Sequence, residues 1–346
     1  MRVKKIFWLM AALVLAGGCG RENLTNIDVY YTADVQGFYW SRPEPRWDNR
    51  EAGGYAILKN FLHSREGEFL LFDGGNWFGS APEGTMTKGA YVAELADTLP
   101  YTAGTISDKD LVYGWPSLRN IVQKLPYPFV VSNLRLENQI PWPMHDYQIR
   151  TVNGIKIGIF GLIDPQTVNK NKARLLGLQA LDPVQVAQEM TALLREKGVD
   201  AVIVLSSLAA SQENSVSETS IAEETPGIDL ILSSNKDREN AETDQINQTL
   251  IVYPGSKLDS VAHIRLSFDK NKQLREMTFE DVALVKETYG EDADIAQRAA
   301  TLRAGTRRKM NARVAELPAE ITTSLTQESA LGDLLTQCMY KWSRLD

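Results

Sequence analysis

Apolar positions fall into two kinds of run along this chain. Short runs rich in β-branched and aromatic residues occupy 27–32, 69–72, 129–132, 201–206, 228–232, 249–253 and 261–268. Their length suits strands buried on one or both faces. Between them, apolar residues recur every three or four positions over 54–64, 88–97, 115–123 and 183–197, which predicts amphipathic helices. Asn153-Gly154 separates the runs 147–152 and 155–163. Both residues accept the positive φ of a two-residue hairpin turn, so a hairpin is predicted there. Strands alternating with helices, plus one hairpin, predict an α/β domain with mixed sheets. Residues 211–226 are polar and acidic and predict a loop. Residues 292–314 are charged with few apolar positions, as in a solvated connecting helix. A last helix is predicted over 331–343, and its apolar spacing predicts that Cys338 is buried.

The first residues follow a different logic. Arg2, Lys4 and Lys5 precede an apolar run of 13 residues ending at Gly18, whereas a bilayer span needs about 20. A basic start, a short apolar middle and small residues predict an export signal. Leu15-Ala16-Gly17-Gly18-Cys19 resembles a bacterial lipobox. That resemblance implies acylation of Cys19 after cleavage and attachment to the periplasmic face of a membrane. Gly20, where an Asp would favour the inner membrane, points to the outer one. Cys338 is then the lone mature cysteine, and no Cys/His metal spacing exists.

Composition narrows the chemistry. The 346 residues are 43% hydrophobic and 23% charged, an ordinary globular balance. Beyond residue 18 there are 34 Lys and Arg against 44 Asp and Glu. An acidic body of this kind argues against a nucleic-acid partner. His63, His145 and His263 are the only histidines, so a mechanism needing several imidazoles has no supply. Their positions predict surface or structural roles.

In α/β folds ligands sit beyond the carboxyl ends of strands. The segments that follow strands here are Thr32-Ala33-Asp34-Val35-Gln36-Gly37, Asp73-Gly74-Gly75-Asn76-Trp77-Phe78, Ser107-Asp108-Lys109-Asp110, Leu205-Ser206-Ser207-Leu208 and Ser233-Ser234-Asn235-Lys236-Asp237. With Gly53-Gly54-Tyr55-Ala56, the hairpin Val152-Asn153-Gly154-Ile155 and Val252-Tyr253-Pro254-Gly255-Ser256, they make residues 26–269 resemble the bacterial 5′-nucleotidase / 2′,3′-cyclic phosphodiesterase family. The resemblance implies a four-layer α/β/β/α metallophosphoesterase sandwich over 19–285, after a signal peptide at 1–18. A connecting helix over 286–316 and a stub of the family's second domain over 317–346 would follow. Glu328-Ser329-Ala330-Leu331-Gly332-Asp333-Leu334 matches the opening of that second domain, which supplies an aromatic clamp for the nucleotide base. Either the second domain is genuinely truncated, or translation through a recoded stop codon, as in selenoproteins similar to this family, supplies the remainder.

The same resemblance implies a pair of divalent metals that clamp a phosphate and activate a bridging water. Of eight metal-site positions, Asp34 alone is kept. Gln36 stands for a His, Asn76 for the bridging Asp, Asp108 for an Asn and Lys109 for the His that aids phosphate transfer. Ser207, Asn235 and Asp237 stand for the remaining His. Amides and a hydroxyl are weak ligands, and an ammonium repels cations. The first expectation is therefore no metal and a non-catalytic binding or assembly module. The second is one Mg, Mn or Ca ion on Asp34, Asp73 and Asp108, giving a divergent hydrolase of nucleotides or phosphate esters with Lys109 and Asp110 in the reaction. The third is a phosphate-containing small molecule held by Lys109, Lys236 and loop amides. A related branch of the family acts on sulfur compounds, with no specific support here. Trp77, Phe78, Tyr39 and Trp40 are expected to pack around the mouth, with a ligand-stacking face as the alternative.

Overall fold

A computed structural model describes residues 24–77, 79, 81–170, 175, 177–208, 216–234, 241–313, 316, 321–324 and 326–343. Among them, two large sheets stack face to face. The first runs, in spatial order, Leu274–Ala283, Ser260–Phe268, Thr25–Thr32, Phe69–Asp73, Ala103–Gly104, Phe129–Val130 and Met144–His145. The second runs Glu242–Ile246, Thr249–Tyr253, Leu230–Ser233, Ala201–Ser207, Ile155–Ile163 and Tyr147–Val152. Ile27, Val29, Tyr31, Leu70 and Phe72 of the first meet Ile157, Ile159, Ile203, Leu205 and Leu232 of the second, all buried. Alternate residues face outward. Phe160, Leu162, Val202 and Val204 pack under the helices Pro183–Glu196 and Glu218–Glu224. On the far side Tyr30 packs edge-on against Phe61 of the helix Tyr55–His63, 5.3 Å between ring centroids. This is the four-layer α/β/β/α sandwich expected.

The sheets are joined closely at one point. A Cβ on Gly161 would lie 2.0 Å from the Val130 carbonyl oxygen, and Ser132 donates its N–H to the Gly161 carbonyl at 2.7 Å. The hairpin forms in the expected register, with Val152 opposite Ile155 and Asn153 and Gly154 at φ 49° and 78°.

Several expectations are corrected. Residues 218–224 of the expected loop are helical, because Ser217 caps the turn by accepting from the Ser220 N–H. The strand expected over 129–132 stops at Val130, beyond which the Ser132 N–H leaves the first sheet's ladder for the Gly161 carbonyl of the second sheet. A helix at Pro82–Thr87 precedes Ala90–Ala96 and has no apolar repeat to announce it. The chain divides into units Met1–Thr301 and Leu302–Asp346, with the helix Ala293–Met310 spanning the division. In the second unit the helix Ala330–Ser343 leaves Leu335, Met339, Trp342 and Cys338 exposed, so the expected burial of Cys338 fails. Apolar spacing alone buries a residue only when another element covers the stripe. Among the described residues no helix is long and apolar enough to cross a membrane.

Candidate functional site

The parallel strands deliver their loops to one end of the sandwich. Asp34 and Gln36 follow Thr25–Thr32, and Asn76 follows Phe69–Asp73. All three adopt left-handed backbone, with φ of 51°, 52° and 62°. Asp and Asn tolerate that region better than most residues. The two loops are zipped by backbone bonds, Asp34 N–H to Gly75 O at 3.0 Å and Gln36 N–H to Asn76 O at 2.9 Å. A third segment joins them where Lys257 donates its N–H to the Asp34 carbonyl at 2.8 Å.

Asp34 is 5% exposed. Its Oδ2 accepts from Gln36 Nε2 at 2.7 Å, and its Oδ1 accepts from Asn76 Nδ2 at 2.6 Å. The amide orientations follow from chemistry, since an amide oxygen turned to the carboxylate would set two acceptors against each other. Asn76 Oδ1 in turn accepts the Lys109 N–H at 3.2 Å. The side-chain nitrogens that face Asp34 are therefore donors, with no lone pair to offer.

Two buried carboxylates hold the loops from below. Asp73 accepts from Gly75 N–H at 2.9 Å, the Trp77 indole at 2.7 Å and the Tyr127 hydroxyl at 3.2 Å. Asp110 accepts from the N–H groups of Asn76, Trp77 and Ser107 at 2.7, 3.0 and 2.9 Å. Burial pushes Asp73 up to about 6 and Asp110 up to about 7, only partly offset by those bonds. Gly75 is required beside Asp110: its φ is 78°, and a Cβ would lie 2.6 Å from Asp110 Oδ2. Asp110 has no exposed surface, so the geometry gives it the work of anchoring loops.

On the other side Ser207 donates its hydroxyl to Ser107 Oγ at 2.7 Å, and Ser234 reaches the same oxygen at 3.5 Å. All three are buried. Asp108 and Lys109 lie half-buried on the 3₁₀ turn Asp108–Leu111. Asp164 is 4% exposed and follows Ile155–Ile163. Burial raises its carboxyl, and the charge of Asp108 adds to the rise. The structure thus brings together Asp34, Gln36, Asn76, the Lys109 backbone and, one step away, Ser207. Asn235, Lys236, Asp237, Phe78 and Cys19 lie outside the described residues. Trp77 and Tyr39 are wholly buried and pack. His63 and His145 are exposed, and His263 bonds Asp28 at 2.7 Å on the sheet's outer face. Sequence reasoning gave no role to Asp164, Ser107 or Lys257. Asp164 directly follows an apolar run, so the strand-end rule could have found it.

Among the described residues no group of three or more His, Cys, Asp and Glu side chains converges. No protein-family model matches the chain. A 2′,3′-cyclic-nucleotide 2′-phosphodiesterase/3′-nucleotidase of Salmonella typhimurium is 26% identical over 207 residues, 53% of this chain and 32% of the relative. The trifunctional nucleotide phosphoesterase YfkN of Bacillus subtilis is 26% identical over 212 residues, 53% of this chain and 14% of the relative. The chain thus spans a third or less of these two curated relatives. Among solved structures, a 5′-nucleotidase precursor from Thermus thermophilus superposes with TM-score 0.73 at 18% identity, over 92% of this chain and 67% of that one. The calcineurin-like phosphoesterase YfkN from Bacillus subtilis gives TM-score 0.66 at 19% identity, over 83% and 99%. The chain is thus similar in sequence to bacterial 2′,3′-cyclic-nucleotide phosphodiesterases and related nucleotide phosphoesterases, and it shares the calcineurin-like phosphoesterase sandwich of the solved 5′-nucleotidase and YfkN structures.

Proposed function

We propose that this protein is an exported lipoprotein, anchored through acylated Cys19 on the periplasmic face of a membrane, and that it acts as a non-catalytic binding or assembly module on a nucleotidase-like scaffold. The observation that carries this reading is the surrounding of Asp34: its two carboxylate oxygens each accept an amide N–H, from Gln36 and Asn76. A pair of divalent ions ~3.5–4 Å apart needs anionic or imidazole donors between and around them. An amide nitrogen supplies neither, so the described residues do not fit the paired ions. The test combines metal analysis with a phosphatase screen on AMP, 2′,3′-cyclic AMP and bis-p-nitrophenyl phosphate with Mn added. The expected result is no turnover above the no-protein control. Turnover at ordinary enzymatic rates overturns the reading. Intact mass of the membrane fraction tests acylation, which is expected to vanish in Cys19→Ser.

One observation favours a second reading. Asp34, Asp73 and Asp108 all stand on loops or strand ends at the same end of the sandwich, Asp108 beside Lys109 on the turn Asp108–Leu111. A single Mg, Mn or Ca ion held there would support a divergent hydrolase of phosphate esters. Metal addition is then expected to raise the melting temperature, through binding to the folded state alone.

A further inference from the structure

The side chains at the strand ends bond to one another, and the pattern of those bonds has a consequence of its own. In one half, Asp34 is gripped by Gln36 and Asn76, and Asn76 passes the grip to the Lys109 backbone. That half joins the loops after Thr25–Thr32 and Phe69–Asp73 to the turn Asp108–Leu111. In the other half, Ser207 and Ser234 both bond Ser107, across 100 and 127 residues of chain. It ties the first sheet's loop to the strand ends of the second sheet. Asp34, Asn76, Ser107, Ser207 and Ser234 are each less than one-tenth exposed. Hydrogen bonds that deep are electrostatically stronger than in water, and breaking one strands a buried polar group.

We infer that this chain has rebuilt the metal centre of its fold as a metal-independent hydrogen-bonded clasp. The inference rests on the reading above that the paired ions are absent, and it adds what holds the loops instead. Among the described residues, a single carboxylate has each of its oxygens met by an amide donor. Two facing carboxylates would not meet in this way, because like charges at hydrogen-bond distance need a cation or a proton between them. The identity of residue 76 therefore decides whether the fold needs metal. Asn at 76 makes it self-sufficient, and Asp at 76 would make it metal-requiring.

The experiment is thermal unfolding of the full chain at pH 7.5, in EDTA and with Mn²⁺ added. The wild type is expected to melt at the same temperature in both. Asn76→Asp is expected to melt several degrees lower in EDTA and to recover with Mn²⁺. The double variant Asp34→Asn/Asn76→Asp exchanges the two partners and restores one carboxylate facing one amide. It is expected to regain at least half of the loss without metal, even if Asn76→Asp alone does not fold in EDTA. Ser207→Ala is expected to melt lower than the wild type with no response to Mn²⁺. A wild type that loses stability in EDTA overturns the clasp, as does a double variant no more stable than Asn76→Asp. A wild type that turns over phosphate esters with Mn²⁺ overturns the binding-module reading. One without turnover that melts lower in EDTA overturns the clasp alone.

Discussion

Replacing Asp110 by Asn is expected to change how stability depends on pH. Asp110 is fully buried, and three backbone N–H groups close around it with no counter-ion among the described residues. Burial raises its carboxyl to about 7 from 3.8 in the folded state, and the nearby charge of Asp73 adds to the rise. The folded protein therefore holds a proton that the unfolded chain has released across that interval. Stability contributed by this group is fully present below pH 3.8 and is lost as pH rises toward 7. With ~1.36 kcal/mol per pH unit, the loss amounts to about 4 kcal/mol. Asn cannot ionise, so the variant escapes that loss. It sacrifices one good acceptor for the Trp77 or Asn76 N–H, worth ~1–3 kcal/mol at any pH. The difference in unfolding free energy between the two proteins is thus expected to move by about 4 kcal/mol between pH 4 and pH 8, in the variant's favour as pH rises. Urea unfolding at half-unit pH steps measures it. A variant destabilised by the same amount at every pH would refute the reasoning, and so would a gap that widens with pH.

Further substitutions test the surrounding structure. Gly75→Ala puts a Cβ 2.9 Å from the Ser107 nitrogen and 2.6 Å from Asp110 Oδ2 at a φ of 78°; a loss of about 2 kcal/mol or more is expected in urea unfolding. Gly67→Ala has a similar φ of 83° and nothing within 4 Å, so it is expected to lose only about 1 kcal/mol. Gly161→Ala drives a methyl into the Val130 carbonyl and is expected to abolish the cooperative transition seen by near-UV circular dichroism. Asp28 would be raised by burial, but bonds from Arg265 and His263 outweigh that and hold it below its ordinary value. Its contribution to stability is present above the unfolded value of 3.8 and is lost on further acidification. Arg265→Ala is expected to move the Asp28 titration upward when followed by NMR, and unfolding should then begin at a higher pH.

The sandwich is legible in the sequence because its central strands are continuous apolar runs. Residues 201–207, for instance, are wholly buried between a sheet and a helix layer. Elements made by capping are not legible in that way. The helix Glu218–Glu224 carries glutamates and a threonine, and it forms because Ser217 satisfies its first turn. The amide half of the clasp could be placed from residue order, since Asp34, Gln36 and Asn76 each follow a strand closely. The hydroxyl half could not. Ser207 ends a strand of the second sheet and Ser107 lies in a loop of the first, so they meet only when the sheets stack. Ser107 and Asp110 form a capping box on the turn Asp108–Leu111. The same carboxylate also gathers the backbone of Asn76 and Trp77 from another loop.

The central claim is that the strand-end loops around Asp34 hold themselves together without ions. Elemental analysis of protein purified without chelators, comparing wild type with Asp34→Ala, tests it most directly. The account predicts substoichiometric Mn, Fe, Zn, Mg and Ca in both. One or two ions per wild-type chain, lost in Asp34→Ala, would contradict it.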